Sequence, residues 1–414
     1  MTPSSPAEAF IRDSYLQRES LVRSFFEAEA THLADLCHLM ARRFARGGRL
    51  IAFGLGPAAT DAQHVAVEFV HPVIVGKRAL PAVALVNDMP SALASAARDP
   101  AGFLARWLEV EATPEDIVMG IVHGIHDAGL EPVDAALETA RGAGMVTISL
   151  GSARAEVSGK QHCFLVDCDD PLAVQEVHET LYHVLWELVH VFFDHKGLLK
   201  DRPPQATHET GRSSFLYPFL AEAETNLDGV LDEVRDSILA KAQDVIAMRS
   251  ASMDAAGLPE TASLMAERIS SGGRVLAFGN GGSATDAQDL VTDLVVPPDD
   301  LCPVAATSLT NDAAVVTAIA NDVGYDNVFA RQIGAHGRDG DIALAISTSG
   351  GSRNVILAVE EARRRGLMTV SLAGYGGGRL AEICDRSHVV HGDYVPRIQE
   401  AQATQYHCLR RLLG

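Results

Sequence analysis

Short, wholly apolar runs alternate with long amphipathic stretches along this chain. IAFG at 51–54 and LAFG at 276–279 each end on glycine, and VMGIV and ALAIS, then VTISL and TVSLA, repeat the motif further on. Runs of this length suit strands buried on both faces of a parallel sheet. Between them the apolar positions recur at helical spacing. The pattern predicts a leading amphipathic helix over about 14–46, with a counterpart over about 214–250 plus 259–271. Closing helices are expected over about 173–196 and 397–413, and a further one over about 353–365. Alternating strands and helices predict an α/β chain whose parallel sheets carry helices on both faces.

The pattern occurs twice. RLIAFGLGPAATDAQHVAVEF at 49–69 lies over RVLAFGNGGSATDAQDLVTDL at 274–294, an offset of 225 positions that carries Gly54 onto Gly279. DIVMGIVHG from Asp116 matches DIALAISTSG from Asp341, ARGAGMVTISLG from Ala140 matches ARRRGLMTVSLAG from Ala362, and VQEVHETLYHVL from Val174 matches IQEAQATQYHCL from Ile398. Two copies of domain size mean a doubled domain, not a solenoid. The Pro-rich polar stretch near 198–214 marks the join. The expected domains are 1–200 and 214–414, with a linker at 201–213.

Composition narrows the function classes. Of 414 residues, 34 are basic and 54 acidic, a formal charge of −20. Such a surface repels nucleic acid and anionic membrane, so neither is an expected partner. No apolar run reaches the roughly 18 residues of a membrane helix. The N-terminal stretch has no apolar core of the secretory kind, and the six cysteines form no C-x-x-C pair, which together suggest a cytoplasmic protein. On so acidic a chain, any phosphate site must be local and built from backbone N–H groups.

The second copy has two candidate anion loops. Gly279-Asn280-Gly281-Gly282-Ser283-Ala284 joins a strand to a helix, where glycines admit an anion close to the backbone and the helix start offers free N–H groups. Ser347-Thr348-Ser349-Gly350-Gly351-Ser352 also follows a strand and precedes a helix, with four hydroxyls for a group that only accepts hydrogen bonds. Two such loops at the carboxyl ends of strands converge where open α/β sheets bind ligands. The first copy lacks this chemistry. Ala58 replaces Ser283, and the second loop reads Val122-His123-Gly124-Ile125-His126-Asp127.

The first copy carries a different group. His64 and Glu68 are i and i+4 on one helix, and Gln175 and His183, i and i+8, are read as sharing a face of another. Two imidazoles, a carboxylate and an amide oxygen suit zinc or a similar divalent ion. In the second copy Asp289 and Asp293 replace His64 and Glu68, while Gln399 and His407 remain.

These motifs resemble the phosphoheptose isomerase family within the sugar-isomerase (SIS) fold. GNGGSATDAQ, AIANDVGYDNVFARQ, ISTSGGSRNVI and RIQEAQATQYH carry the likeness across the second copy, and ATDAQHVAVEF and VQEVHETLYHVLWELV carry it through the first. The resemblance implies two tandem SIS domains. It implies that Asn280, Gly281, Gly282, Ser283, Asn321, Asp322, Ser347, Thr348, Ser349 and Ser352 contact substrate, together with Gln175. At the Asn321-Asp322 position the first copy has Ala97-Arg98. It also implies a zinc ion held by His64, Glu68, Gln175 and His183, with Glu68 as base and His183 as acid.

The expected activity is ketose–aldose isomerisation of a phosphorylated sugar through an enediol. The family substrate is sedoheptulose 7-phosphate, converted to D-glycero-D-manno-heptose 7-phosphate. From Ser283 to Asp293 is ten residues, about 15 Å of helix, too far for one helix to hold the phosphate and work on the carbonyl. The expectation is therefore a composite site, with phosphate loops from the second copy and metal and acid–base groups from the first. A homodimer mimicking a four-domain assembly is expected on the family pattern. The alternative is a non-catalytic SIS protein that senses a sugar phosphate or binds a protein, which need contain no zinc.

Overall fold

The computed structural model describes residues 5–74, 76–124, 129–153, 161–199, 226–298 and 301–414. The linker expected at 201–213 and the loop residues Ile125, His126 and Asp127 lie outside these. The chain divides into two compact units. The N-terminal unit comprises Val22–Asp170 and Val177–Gln243, and the C-terminal unit Met1–Leu21, Pro171–Glu176 and Asp244–Gly414. These differ from the domain bounds read from the sequence, because two short pieces of the first copy belong to the unit built on the second, and residues 227–243 of the second copy belong to the unit built on the first. The reason is burial. Ile11 and Tyr15 join a core with Leu258, Met265, Leu344 and Leu409, and Arg18 pairs with Glu176 in the same unit.

In chain order the first copy forms α1 (Pro6–Ala45), β1 (Leu50–Phe53), α2 (Pro57–Val70), β2 (Ala82–Ala84), α3 (Met89–Ala96), α4 (Phe103–Glu111), β3 (Ile117–Ile121), α5 (Leu130–Gly142), β4 (Val146–Ser152), β5 (His162–Val166) and α6 (Pro171–Asp194). The leading helix starts eight residues before its expected position at 14, and Pro6 at its first position supplies a pre-set φ without wasting a donor. The strands are parallel throughout, in the order β2-β1-β3-β4-β5. Alternate residues leave a strand on opposite faces. Ile51, Phe53 and Val118 therefore share one face, where they pack with Phe103, Leu104 and Leu108 of α4 and Val133 and Leu137 of α5.

The second copy forms α7 (Leu227–Ser252), α8 (Gly257–Ser270), β6 (Val275–Phe278), α9 (Gly282–Val295), β7 (Ala306–Ser308), α10 (Ala313–Val323), α11 (Val328–His336), β8 (Ile342–Ser347), α12 (Arg353–Arg364), β9 (Met368–Ala373), α13 (Gly378–Ile383), β10 (Arg386–Val389) and α14 (Val395–Leu412). Its parallel order, β7-β6-β8-β9-β10, repeats that of the first copy. Leu276, Phe278, Ala343 and Ala345 face α11 and α12, while Val275, Ala277, Leu344 and Ile346 face α8, α9 and α14. Both faces are covered, which is why these strands read as unbroken apolar runs. Among the described residues no helix is long and apolar enough to cross a membrane.

The fold sets the site through β6 and α9. A Cβ at Gly279 would stand 2.4 Å from the Ser283 carbonyl oxygen and 2.8 Å from that of Ile346. Glycine there lets the first loop close onto the end of β8, beside the second loop. Gly279→Ala should destabilise the chain by about 1–3 kcal/mol through overpacking, read as a lower urea midpoint. An unchanged midpoint would mean the backbone has room there.

Candidate functional site

In the C-terminal unit the two anion loops are tied together. Gly281, with φ of 57°, caps α9, and Ser283 is buried in its first turn. Asn280 and Asn354 exchange side-chain hydrogen bonds, Nδ2 to Oδ1 in each direction, at 3.0 and 2.8 Å. The Tyr325 hydroxyl donates to Asn280 Oδ1 at 3.0 Å. In the second loop the Gly350 N–H donates to Ser347 Oγ and the Gly351 N–H to Ser349 Oγ, each at 3.2 Å, and the Ser347 and Ser352 hydroxyls lie 3.5 Å apart. Thr348 follows Ser347 in that same loop. The expected substrate residues from Asn280 to Ser283 and from Ser347 to Ser352 thus occupy adjoining strand ends. Asn321 and Asp322 are exposed on the last turn of α10 and hydrogen-bonded to each other at 2.8 Å, three to four residues before the Tyr325 that reaches Asn280.

In the N-terminal unit α2 and α6 bring His64, Glu68, Glu179 and His183 together, all buried. The Nε2 atoms of His64 and His183 are 3.4 Å apart, and His64 Nε2 lies 3.7 Å from Glu68 Oε1. Ligand atoms of His64, Glu179 and His183 all fall within 4.8 Å of one another. Two nitrogens each about 2.0–2.1 Å from a tetrahedral zinc would stand about 3.3–3.4 Å apart. With neutral imidazoles this donor set carries two negative charges, which a divalent ion offsets. The residues therefore fit the zinc that the resemblance implies.

Gln175 does not complete that group. Eight residues from Gln175 to His183 are about 12 Å of helix and 80° past two full turns, so the two side chains neither share a face nor reach one ion. Gln175 belongs to the C-terminal unit, where it hydrogen-bonds Asp289. Glu179, four residues before His183, occupies the face assigned to Gln175. Its Glu-x-x-x-His spacing mirrors His64 and Glu68, and that was the available signal for it.

The corresponding place in the C-terminal unit is built differently. His407 Nδ1 donates to Glu176 Oε1 at 2.9 Å, and its Nε2 faces Asp289 Oδ2 at 3.4 Å and Asp293 Oδ2 at 3.8 Å. The Tyr406 hydroxyl donates to Asp289 Oδ2 at 2.9 Å. Arg18 Nε donates to Glu176 Oε1 at 2.7 Å, and Arg249 lies 3.6 Å from the other oxygen. Burial works against a charged His407, but Asp289 and Glu176 outweigh it and push the imidazole up to about 10. Burial likewise opposes the charged form of Glu176, and Arg18, His407 and Arg249 prevail, holding it well below the usual carboxylate range. Asp289 is lowered despite burial, by His407, Gln175 and Tyr406. Ligand atoms of Asp289, Asp293 and His407 also fall within 4.8 Å of one another, but here three carboxylates meet three cations, Arg18, Arg249 and the raised His407, so the cluster can neutralise itself.

Comparison with known proteins comes down on the same fold. A family model described as SIS domain matches residues 15–152 and 239–374. The chain is 40% identical over 156 residues to phosphoheptose isomerase of Rhodospirillum rubrum, covering 37% of this chain and 83% of that protein. It is 43% identical over 184 residues to phosphoheptose isomerase of Desulfovibrio desulfuricans, covering 44% and 88%. Among solved structures, the C-terminal domain of glucosamine-fructose-6-phosphate aminotransferase from Francisella tularensis matches 98% of this chain and 94% of its own, with a TM-score of 0.58 and 7% identity. That last likeness is one of fold alone.

The His407 network has a pH signature. A histidine whose folded pKa is raised from 6.5 to about 10 adds stability fully below pH 6.5 and loses it as pH rises toward 10. The lowered Glu176 and Asp289 act in the other direction, adding stability above the ordinary carboxylate range and losing it in acid. Removing the cation strands buried carboxylates, so His407→Gln should cost about 3–5 kcal/mol near pH 6.5. In thermal melts the gap between wild type and variant should narrow from pH 6.5 to 10. A gap independent of pH would show that His407 is not charged in the folded protein.

Proposed function

Because the chain belongs to the SIS domain family, as a tandem of two SIS domains, we propose that it isomerises a phosphorylated sugar between ketose and aldose forms. Sedoheptulose 7-phosphate, the sugar of the phosphoheptose isomerases it resembles, is the proposed substrate and D-glycero-D-manno-heptose 7-phosphate the product. The likeness to those enzymes supports the reaction class. The observation that carries the reading is the buried His64, Glu68, Glu179 and His183 group, which offers both ligands and a base.

The copies take different parts. The loops at Asn280–Ser283 and Ser347–Ser352 hold the phosphate through backbone N–H groups and hydroxyls. Proton transfer falls to the N-terminal copy. His64, Glu179 and His183 form the ligand triad, which leaves Glu68, 3.7 Å from His64, to act as base. Glu68 takes a proton from C1 of the ketose and returns it to C2, while the proton of the C1 hydroxyl passes to the C2 oxygen. Zinc bound by the triad would polarise the carbonyl and stabilise the negative oxygen of the enediolate. Of the two roles expected for His183, acid and metal ligand, this assignment keeps the ligand, since its Nε2 lies 3.4 Å from that of His64.

General acid–base groups contribute about 10²–10⁴-fold. Glu68→Gln should therefore lower kcat on sedoheptulose 7-phosphate by at least about 100-fold, with loss of hydrogen–deuterium exchange at C1 and C2 in D2O. Asp293→Asn should change kcat far less, and Ser349→Ala should act mainly on KM. A Glu68→Gln variant that turns over normally beside an inactive Asp293→Asn would overturn the assignment.

A further inference from the structure

Three buried side chains, Tyr182, Asp61 and His123, stand behind His64 in the N-terminal unit, and Tyr182 also packs edge-on against His183 at 5.2 Å between ring centroids. The Tyr182 hydroxyl lies 3.1 Å from His64 Nδ1 and 3.4 Å from Asp61 Oδ1. Asp61 Oδ2 lies 2.7 Å from His123 Nε2. Asp61, His64, His123 and Tyr182 are each at most 3% exposed. We propose that Tyr182, Asp61 and His123 form a relay that orients His64 and fixes its tautomer for metal binding. The inference rests on the metal site proposed above.

The direction of every hydrogen bond in the relay follows from one premise. If His64 Nε2 gives its lone pair to a metal, Nδ1 must carry the ring proton. That N–H donates to the Tyr182 oxygen, which leaves the Tyr182 proton to be donated onward to Asp61 Oδ1. The other Asp61 oxygen accepts from His123 Nε2–H. Each donor in this set meets an acceptor, as buried polar groups require. Beyond the relay, His178 Nε2 donates to the Gly151 carbonyl at 3.3 Å. Asp61, His123 and His178 could also be read as a second cation group. The 2.7 Å separation of Asp61 and His123 is that of a hydrogen bond, and it favours the relay.

The second copy is an internal control. Laying the repeats together puts Asp286 on Asp61 and Tyr406 on Tyr182, but Asp289 on His64 and Thr348 on His123. There the tyrosine hydroxyl donates straight to Asp289. A tyrosine that must accept from a histidine needs somewhere to send its own proton, and only the copy with the histidine has the Asp–His pair joined to that tyrosine among the described hydrogen bonds.

Residues behind a metal ligand are worth about 10–100-fold in affinity. The test is zinc affinity of the full chain, measured by competition with a chromophoric chelator, and the visible spectrum of the cobalt form. Tyr182→Phe and Asp61→Asn should each weaken zinc binding by about 10–100-fold, with the tetrahedral cobalt bands shifted or broadened. His123→Gln should weaken it less. Melting of the metal-free proteins shows whether a variant is folded, and His123→Gln serves if the other two are not. Zinc affinity within about twofold of wild type in folded Tyr182→Phe, beside a His64→Ala variant that binds none, would overturn the relay while leaving the metal site standing. Failure of the wild-type chain to bind zinc would overturn both.

Discussion

A carboxylate taken out of water must be neutralised, and the two copies of this domain answer that demand differently. In the C-terminal unit Glu176, Asp289 and Asp293 are matched by Arg18, Arg249 and the charged His407. The network is closed and leaves its histidine protonated. In the N-terminal unit Glu68 and Glu179 converge on two imidazoles whose Nε2 atoms face each other at 3.4 Å. Facing lone pairs beside carboxylates call for a cation. The same helices, α2 with α6 and α9 with α14, thus support a ligand group in one copy and a self-neutralised ion cluster in the other.

Few substitutions separate the two outcomes. Asp289 for His64 and Asp293 for Glu68 convert a mixed donor set into an acidic one, and Ala403 stands where the first copy has Glu179. The loops have diverged the other way. Ser283, Ser347 and Thr348 in the second copy correspond in sequence to Ala58, Val122 and His123 in the first. The His123 imidazole, in the position of Thr348, binds Asp61 of its own copy. Duplication has left the hydroxyl-rich loops in one copy and the histidine–carboxylate group in the other.

Much of this was legible before any coordinates. Strand runs such as IAFG and LAFG marked β1 and β6, because strands buried on both faces must be apolar at every position. The pairs His64–Glu68 and Ser347–Ser352 were legible because their spacing alone puts them on one face or in one loop. Gln175 lies off the face of His183 because eight residues of helix advance about 12 Å and about a quarter turn beyond two full turns. Glu179 and Tyr182 were passed over although both lie within five residues of His183. Glu179 has one local signal, its Glu-x-x-x-His spacing, but the weight of both residues comes from what α2 presents to them. The exchange of residues 1–21 and 171–176 between units was also hidden, since the periodicity of one helix does not say which core it enters.

If the division of labour proposed for the two copies holds, metal and acid–base chemistry reside in the first copy alone. Anomalous diffraction at the zinc edge, from crystals of the full chain grown with zinc, tests it most directly. The account predicts one strong peak per chain, about 2 Å from the Nε2 atoms of His64 and His183. A peak among Asp289, Asp293 and His407, with none at His64, would contradict it.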